Sequence, residues 1–418
     1  MRGLSGVKKA AGYALSMAVL ALAALAVIPS MIHASGEAAW GSIALGQSIG
    51  AVAAVLVGYG WMLSGPAAIA RADTASRWRE YRESMKVRLV LVVPVVATAA
   101  VLSALLATQR RDLAALASVT AGLIGLTSDW FFVGLGRPFV LFFVETLPRV
   151  GGTVAAIAVM WLGADAAVGL LLQAVGFTLG VGIASAWIIK RVGAAAAQRQ
   201  PTRPLGKLLV LHRGGITSSL GASAYVSSPL VIVSAVAPQV QPLYALADKL
   251  QRQISIALVP VTTTIQGWVP RAADPSRRAR TAIAFAAGIA LVTGLGVLVF
   301  APVLMSWLGG GSLRPTTGVV VLMAVFVMLN FTESVVAKAV LATYHRLDVV
   351  ARATLVSAVI ALPLVAVGAV FAGVEGALAA VCLGLAVRLA WEIVASRSSL
   401  RAAAPIARER MVENGETG

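Results

Sequence analysis

Long apolar segments recur from one end of this chain to the other, and they constrain its fold more than any other feature. A helix that crosses a bilayer needs about 20 mostly apolar residues. We interpret twelve segments as such spans: residues 10–32, 40–63, 88–107, 113–135, 139–162, 166–189, 208–236, 240–268, 281–307, 317–341, 350–372 and 376–396. The segments are continuous and do not alternate between apolar and polar residues, so helices are favoured over a β-barrel.

Composition excludes the alternatives to a membrane protein. Of the 418 residues, 59% are hydrophobic and only 12% are charged, whereas ordinary soluble domains carry about 25% charged residues. A soluble fold could not bury so much apolar surface, and intrinsic disorder fails for the same reason. The sequence therefore predicts an all-α polytopic membrane protein.

The distribution of positive charge predicts the orientation of the chain. The net charge is +17, which alone could suggest nucleic acid. Successive loops, however, lie on alternate sides of the membrane, and most Lys and Arg residues fall in the loops of one side. The loops of the other side hold only Arg110, Arg111 and Arg314. This bias places both termini in the cytoplasm. Anionic lipids, and not nucleic acid, are the expected partners of the basic loops. Residues 1–32 could instead be a signal peptide, but their apolar stretch is longer than the usual 7–15 residues.

A polar loop divides the predicted helices into two groups. We expect an N-terminal six-helix bundle over residues 1–195, a cytoplasmic linker over 196–207, a C-terminal six-helix bundle over 208–400 and a cytoplasmic tail over 401–418. Two halves with an even number of helices must be parallel repeats, related by a pseudo-twofold axis along the membrane normal.

Charged side chains inside the spans are the candidate functional residues, because each costs at least about 2.5–3.5 kcal/mol to insert. Span 240–268 is the most informative. Asp248, Arg252, Ser255, Thr262 and Gln266 share one stripe at helical spacing. A polar stripe along the whole span predicts an aqueous path or cavity.

Positive side chains at membrane depth favour an anionic cargo. Arg149, Lys249 and Arg252 lie deep in their spans, and we predict that they bind the substrate. Arg213 is a fourth, shallower candidate, although its side chain could simply extend to the cytoplasmic surface. Arginine binds phosphate groups through paired hydrogen bonds, so a phosphorylated cargo is the best match.

Acidic side chains in the spans have two interpretations. Asp129, Glu145, Asp248 and Glu333 can carry a proton or bind Na⁺ as coupling sites, or they can balance nearby cations. Opposite charges four residues apart can neutralise each other along one helix. Such pairs are Glu145 with Arg149, Asp248 with Arg252, and Arg388 with Glu392.

The sequence lacks the usual signatures of catalysis and of ATP hydrolysis. It contains no P-loop, its three histidines are far apart, and its single cysteine is Cys382. The loops between spans are too short to hold a catalytic domain. We therefore expect no enzymatic activity, no cofactor and no metal site.

Several segments together resemble one transporter family. They are the segment from Trp61 to Arg71 with Gly65-Pro66, the segment Asp129-Trp-Phe-Phe-Val-Gly-Leu-Gly-Arg137, the segment from Leu243 to Arg252, and the prolines of Leu258-Val-Pro260 and Trp268-Val-Pro-Arg271. The chain resembles the polysaccharide-exporter or O-antigen flippase (Wzx-type) family of the multidrug/oligosaccharidyl-lipid/polysaccharide (MOP) superfamily. Multidrug exporters (MATE) and lipid II flippases belong to the same superfamily.

The resemblance implies a MATE-like, V-shaped pair of six-helix bundles around a central cavity. It also implies a flippase that moves undecaprenyl-diphosphate-linked oligosaccharide across the cytoplasmic membrane by alternating access, with polysaccharide assembly proteins as partners. A cation-coupled drug or metabolite exporter of the same superfamily is the alternative. The positions Arg149, Lys249 and Arg252 match the family's cationic cavity by place and charge.

Overall fold

A computed structural model describes residues 2–195, 201–271, 275–344 and 346–413, and every regular element in these ranges is a helix. The α-helices are α1 (Arg2–Ser35), α2 (Glu37–Gly58), α3 (Trp61–Arg71), α4 (Thr74–Leu106), α5 (Arg111–Gly122), α6 (Asp129–Leu135), α7 (Pro138–Leu141), α8 (Leu147–Trp161), α9 (Ala166–Ile188), α10 (Leu205–Val236), α11 (Gln241–Ala257), α12 (Val259–Trp268), α13 (Pro275–Leu308), α14 (Thr317–Val335) and α15 (Leu347–Glu413). Turns of π-helix lie at Phe142–Thr146, Ile189–Gly193 and Val336–Leu341. The predicted all-α polytopic fold is confirmed.

Ten helical segments within the described residues are long and apolar enough to cross a membrane. Two features account for the difference from the twelve predicted spans. The segment Asp348–Arg397 contains two predicted spans, and non-helical backbone at Ala372 and Gly373 separates them. The predicted span 240–268 is polar and is divided into α11 and α12 at Leu258, because Pro260 lacks the N–H that a continuous helix requires.

Large apolar side chains cover much of the surface. Val93 is 72% exposed, Val303 is 74% exposed and Phe371 is 84% exposed. In water such surface would be unfavourable, whereas lipid tails solvate it. The chain is therefore an integral multi-pass membrane protein.

The chain forms two compact units, and each is described by itself. The first unit comprises Met1–Ala245 with Trp307–Leu313, and the second comprises Leu246–Ser306 with Arg314–Gly418. Helix α10 therefore belongs to the first unit. The division into halves of six helices at residues 196–207, with a parallel repeat, stays a prediction.

Small residues let helices of the first unit approach closely. A Cβ added at Gly46 of α2 would lie 2.1 Å from the carbonyl oxygen of Ala114 in α5. One added at Gly152 of α8 would lie 2.8 Å from the Cα of Gly176 in α9. Both contacts have the small-residue character of helix packing in membranes. A larger cluster of this unit combines buried aromatic side chains, such as Trp61 and Phe131, with aliphatic ones, such as Ile69 and Ile188.

The core of the second unit is lined by alanines. Ala282, Ala286 and Ala290 are buried on one stripe of α13, and they belong to one cluster with Phe331 and Val335 of α14. The two parts of α15 also approach closely, since a Cβ at Gly368 would lie 2.4 Å from the carbonyl oxygen of Gly376. Glycine is thus required where α15 folds back on itself.

Candidate functional site

The fourth predicted span is interrupted inside the first unit. Two charged side chains form hydrogen bonds with the backbone groups that the interruption leaves unpaired. Helix α6 begins only after Ser128, so the Ser128 N–H and the Thr127 carbonyl lack helical partners. The Ser128 N–H donates to the Glu145 carboxylate, at 3.0 and 3.2 Å to its two oxygens. Arg88 Nη1 donates to the Thr127 carbonyl at 2.6 Å. All four residues are completely buried. Glu145 and Arg88 therefore hold the two ends of the broken helix.

The break also brings together two acids that the sequence predicted separately. Asp129, in the first turn of α6, is close enough to Glu145 for their carboxyl groups to interact. The Arg88 guanidinium lies 5.5 Å from the centroid of the Trp130 ring. Sequence reasoning missed Arg88, because its place at the first position of the predicted span 88–107 groups it with the basic loop that precedes the span. Its complete burial corrects that assignment.

Arg149 lies on α8 without the partner that its spacing suggested. Arg149 and Glu145 form no direct ion pair within the described ranges, although the Arg149 charge is near enough to act on the Glu145 carboxyl group. The π-helical turn Phe142–Thr146 changes the residue spacing, and Glu145 is directed to the break instead. The Arg149 guanidinium lies 4.5 Å from the centroid of the Phe177 ring. Its Nε is buried without a hydrogen bond.

Arg213 differs from the other predicted substrate residues. It is exposed, eight residues after the start of α10 at Leu205. This exposure agrees with a side chain that extends to an aqueous surface. Arg213 and Arg149 both belong to the first unit.

In the second unit, two predicted residues form an ion pair on α11. Arg252 Nε donates to Asp248 Oδ2 at 2.7 Å, and the two side chains are 27% and 19% exposed. This confirms the predicted pair four residues apart. Lys249 is half-buried on the same helix. Further along, Ser255 accepts a hydrogen bond of 3.1 Å from Asn330 of α14, so the polar stripe is in part packed against a neighbour.

Glu333 belongs to a larger cluster than the sequence indicated. Arg388 forms ion pairs with both Glu333 and Glu392, and the pair with Glu392 measures 3.2 Å. Both carboxylates are buried, at 5% and 0% exposure. The spacing of Arg388 and Glu392 predicted their pair, but it gave no signal for Glu333, which lies on a different helix. Two acids thus share one guanidinium.

The eight predicted site residues therefore fall into separate groups. Asp129 and Glu145 come together in the first unit, where Arg149 lies a turn beyond Glu145 on α8. Asp248 and Arg252 come together in the second unit. The convergence of Arg149, Lys249 and Arg252 on one cavity stays a prediction.

Comparison with solved structures identifies the fold. The chain is similar to a multidrug resistance MATE family transporter of the MOP superfamily in an inward-facing conformation, with a TM-score of 0.70, 14% identity, and coverage of 92% of this chain and 95% of that one. It is also similar to a eukaryotic MATE transporter, with a TM-score of 0.51, 14% identity, and coverage of 97% and 99%. The fold is that of MATE transporters.

A third similar structure is a MOP superfamily transporter from Pyrococcus furiosus, described as having a binding pocket of reverse polarity that suggests a different function. The TM-score is 0.53, the identity 14%, and the coverage 95% of this chain and 96% of that one. No protein-family model matches the sequence. No curated protein matches it either.

Proposed function

We propose that this protein is a membrane transporter that moves a lipid-diphosphate-linked oligosaccharide across the cytoplasmic membrane by alternating access. In this proposal, Arg149, Lys249 and Arg252 bind the diphosphate. The sugars lie in water and the prenyl tail remains in lipid. Rocking of the two halves exposes the site first to one side and then to the other.

The observation that carries this proposal is the environment of Arg149, compared with the other charged candidate residues. Arg252 forms an ion pair with Asp248, and the Glu145 carboxylate accepts a hydrogen bond from the Ser128 N–H. Arg149 has a ring beside it but no carboxylate ion pair within the described chain. The Arg149 Nε is buried without a hydrogen bond, and a diphosphate would supply negatively charged acceptors for this guanidinium.

Similar structures support transport by this fold and allow for a cargo other than a drug. The Pyrococcus furiosus transporter is described as having reverse polarity in its binding pocket, so pocket charge varies on this scaffold. A positive pocket in this chain would be a variation of that kind. The function of a fold resides in its site and not in its architecture.

The test uses the full chain in liposomes that carry undecaprenyl-diphosphate-linked oligosaccharide. The variants are Arg149→Gln and Lys249→Gln, and the measurement is the fraction of lipid-linked sugar that becomes accessible on the opposite leaflet. Losing a charged contact to phosphate removes about 1.5–3 kcal/mol, which predicts transport slower by about 10- to 160-fold.

The matched control is Arg352→Gln, because Arg352 is exposed near the start of α15 and loses the same charge. We expect it to transport at the rate of the unchanged protein. Wild-type rates in Arg149→Gln and Lys249→Gln, with equal amounts of folded protein, would remove these residues from the mechanism.

One observation favours the alternative of a cation-coupled drug or metabolite exporter. Glu333 and Glu392 both pair with Arg388, and Lys338 also lies near Glu333. Two adjacent buried acids can hold a proton or a sodium ion. Under this alternative, Glu333→Gln abolishes ion-driven export of a cationic drug. The Arg149 and Lys249 variants then leave that export intact.

A further inference from the structure

A cavity of about 380 Å³ in the first unit is lined by three arginines, Arg77, Arg137 and Arg191. Thr74 and Trp187 contribute to the same lining. The cavity is separate from the residues assigned to cargo, and its volume falls in the usual range of small-ligand pockets. Among the described residues that line it, none is acidic.

Each arginine reaches the cavity from a different element. Arg77 lies in the first turn of α4, and its Nε donates to the Ile69 carbonyl at 3.0 Å. That carbonyl is in the last turn of α3 and lacks a helical partner. Arg137 follows Gly136, whose φ of 65° ends α6, and its guanidinium lies 5.5 Å from the centroid of the Trp187 ring. Arg191 lies in the π-helical turn at the end of α9.

The charges of this cavity are not balanced by the protein. Within the described ranges, the ion pairs do not include Arg77, Arg137 or Arg191. Two acids lie close to Arg77 in sequence: Glu80 accepts the Trp61 Nε1–H at 2.9 Å, and Asp73 caps α4 by accepting the Ser76 N–H at 2.9 Å. Thr74 begins α4, so the positive end of a helix of 33 residues also faces this region. Three guanidinium groups around one cavity repel each other unless an anion lies among them.

An apolar groove next to the cavity indicates that the anion is attached to a lipid. The groove has a volume of about 360 Å³, and its lining includes Met85, Leu89 and Ile189 together with Arg82 and Lys86. The π-helical turn Ile189–Gly193 contributes to both, with Ile189 in the groove and Arg191 in the cavity. The positive-inside rule assigns these segments to the cytoplasmic side.

We propose that the cavity defined by Arg77, Arg137 and Arg191 binds the phosphate headgroup of an anionic lipid from the cytoplasmic leaflet. The arginines hold the phosphate oxygens through charge-assisted hydrogen bonds. The adjacent groove holds the first part of an acyl chain. The site does not depend on the proposed cargo, since none of its residues was assigned to cargo binding.

The experiment measures lipid adducts of the purified full chain by native mass spectrometry, with phosphatidylglycerol and phosphatidylcholine as probes. The double variant Arg137→Gln with Arg191→Gln removes two contacts and leaves the Arg77 bond to α3 in place. The control is Arg280→Gln with Arg352→Gln, since both residues are exposed and the same charge is lost. We expect phosphatidylglycerol to bind the double variant at least about tenfold more weakly, or by about 1.4 kcal/mol. The control should bind as the unchanged protein does.

Two outcomes overturn the proposal. Equal retention of phosphatidylglycerol by all three proteins shows that this cavity is not the lipid site. The second outcome is that inorganic diphosphate binds at concentrations as low as those at which phosphatidylglycerol binds, and that the double variant loses this diphosphate binding. The ligand would then be a free phosphate compound. A second variant, Arg137→Lys with Arg191→Lys, keeps the charge and should retain part of the affinity. If it binds no better than the Gln variant although both are folded, charge does not explain the site.

Discussion

Replacing Glu145 by alanine should destabilise the first unit, because it leaves the broken fourth span without its acceptor. The Glu145 carboxylate receives the Ser128 N–H at 3.0 and 3.2 Å, and both residues are completely buried. A buried donor without a partner costs about 1–3 kcal/mol, and the buried Arg88 also loses a nearby negative charge.

The assay is thermal unfolding of the purified chain in detergent, followed by tryptophan fluorescence. Trp130 is 1% exposed and lies directly after the break, so loosening of α6 changes its environment. We expect the apparent melting temperature of Glu145→Ala to fall by about 2–4 °C for each kcal/mol lost.

The variant Glu145→Gln separates the structural role from a role in ion coupling. Its side-chain carbonyl can still accept the Ser128 N–H, so most of the stability should remain. If the carboxylate also carries a coupling ion, Glu145→Gln loses ion-driven transport at nearly normal stability. An apparent melting temperature unchanged in Glu145→Ala would refute the reasoning that this side chain holds the break together.

Three further predictions concern other parts of the structure. Gly46→Ala should lower the melting temperature, because its Cβ would lie 2.1 Å from a carbonyl oxygen, whereas Gly182→Ala, with nothing within 4 Å, should leave it unchanged or raise it. Hydrogen bonds from Arg110 lower the pKa of Asp165, so their stabilisation exists above the unfolded pKa of about 4 and is lost as pH falls through the lower, folded value. Between pH 6 and pH 3, the free energy of unfolding, followed by thermal melting, should therefore fall more in the unchanged protein than in Asp165→Asn. The difference should be less than about 1 kcal/mol, because the pair is partly exposed. Arg388→Ala should destabilise the second unit by about 3–5 kcal/mol, measured by the same unfolding assay, because it leaves two buried acids without their cation.

The helices could be predicted from the sequence because a bilayer imposes a simple requirement on each of them. Eleven of the twelve predicted spans lie in the ten long apolar helical segments of the described residues, since the segment Asp348–Arg397 contains two of them. The interruptions were less visible. Pro260 indicated the division between α11 and α12, but Tyr59 and Gly60 break the second span with φ values of 44° and 83°. No proline marks that position, and tertiary packing determines it.

The charged sites were only partly predictable, for a related reason. Spacing along one helix revealed the pair of Asp248 with Arg252, because both side chains project from the same stripe. Spacing failed for Glu145, whose partner is the backbone of another segment. It also failed for Glu333, because its partner Arg388 lies 55 residues further along the chain. A helix break and a contact between distant helices leave no periodic signal in a single sequence.

The acids and the cations of the spans consequently have different explanations. Glu145 is needed by the backbone, Asp248 by Arg252, and Glu333 by Arg388. Their burial is thus accounted for by structure, and a coupling role would have to coexist with these contacts. Arg149 has no such account, because its neighbour is the Phe177 ring and its Nε lacks a hydrogen bond. A buried guanidinium nitrogen without a hydrogen bond is costly, so Arg149 is the predicted cargo residue of the first unit whose burial the protein's own contacts explain least.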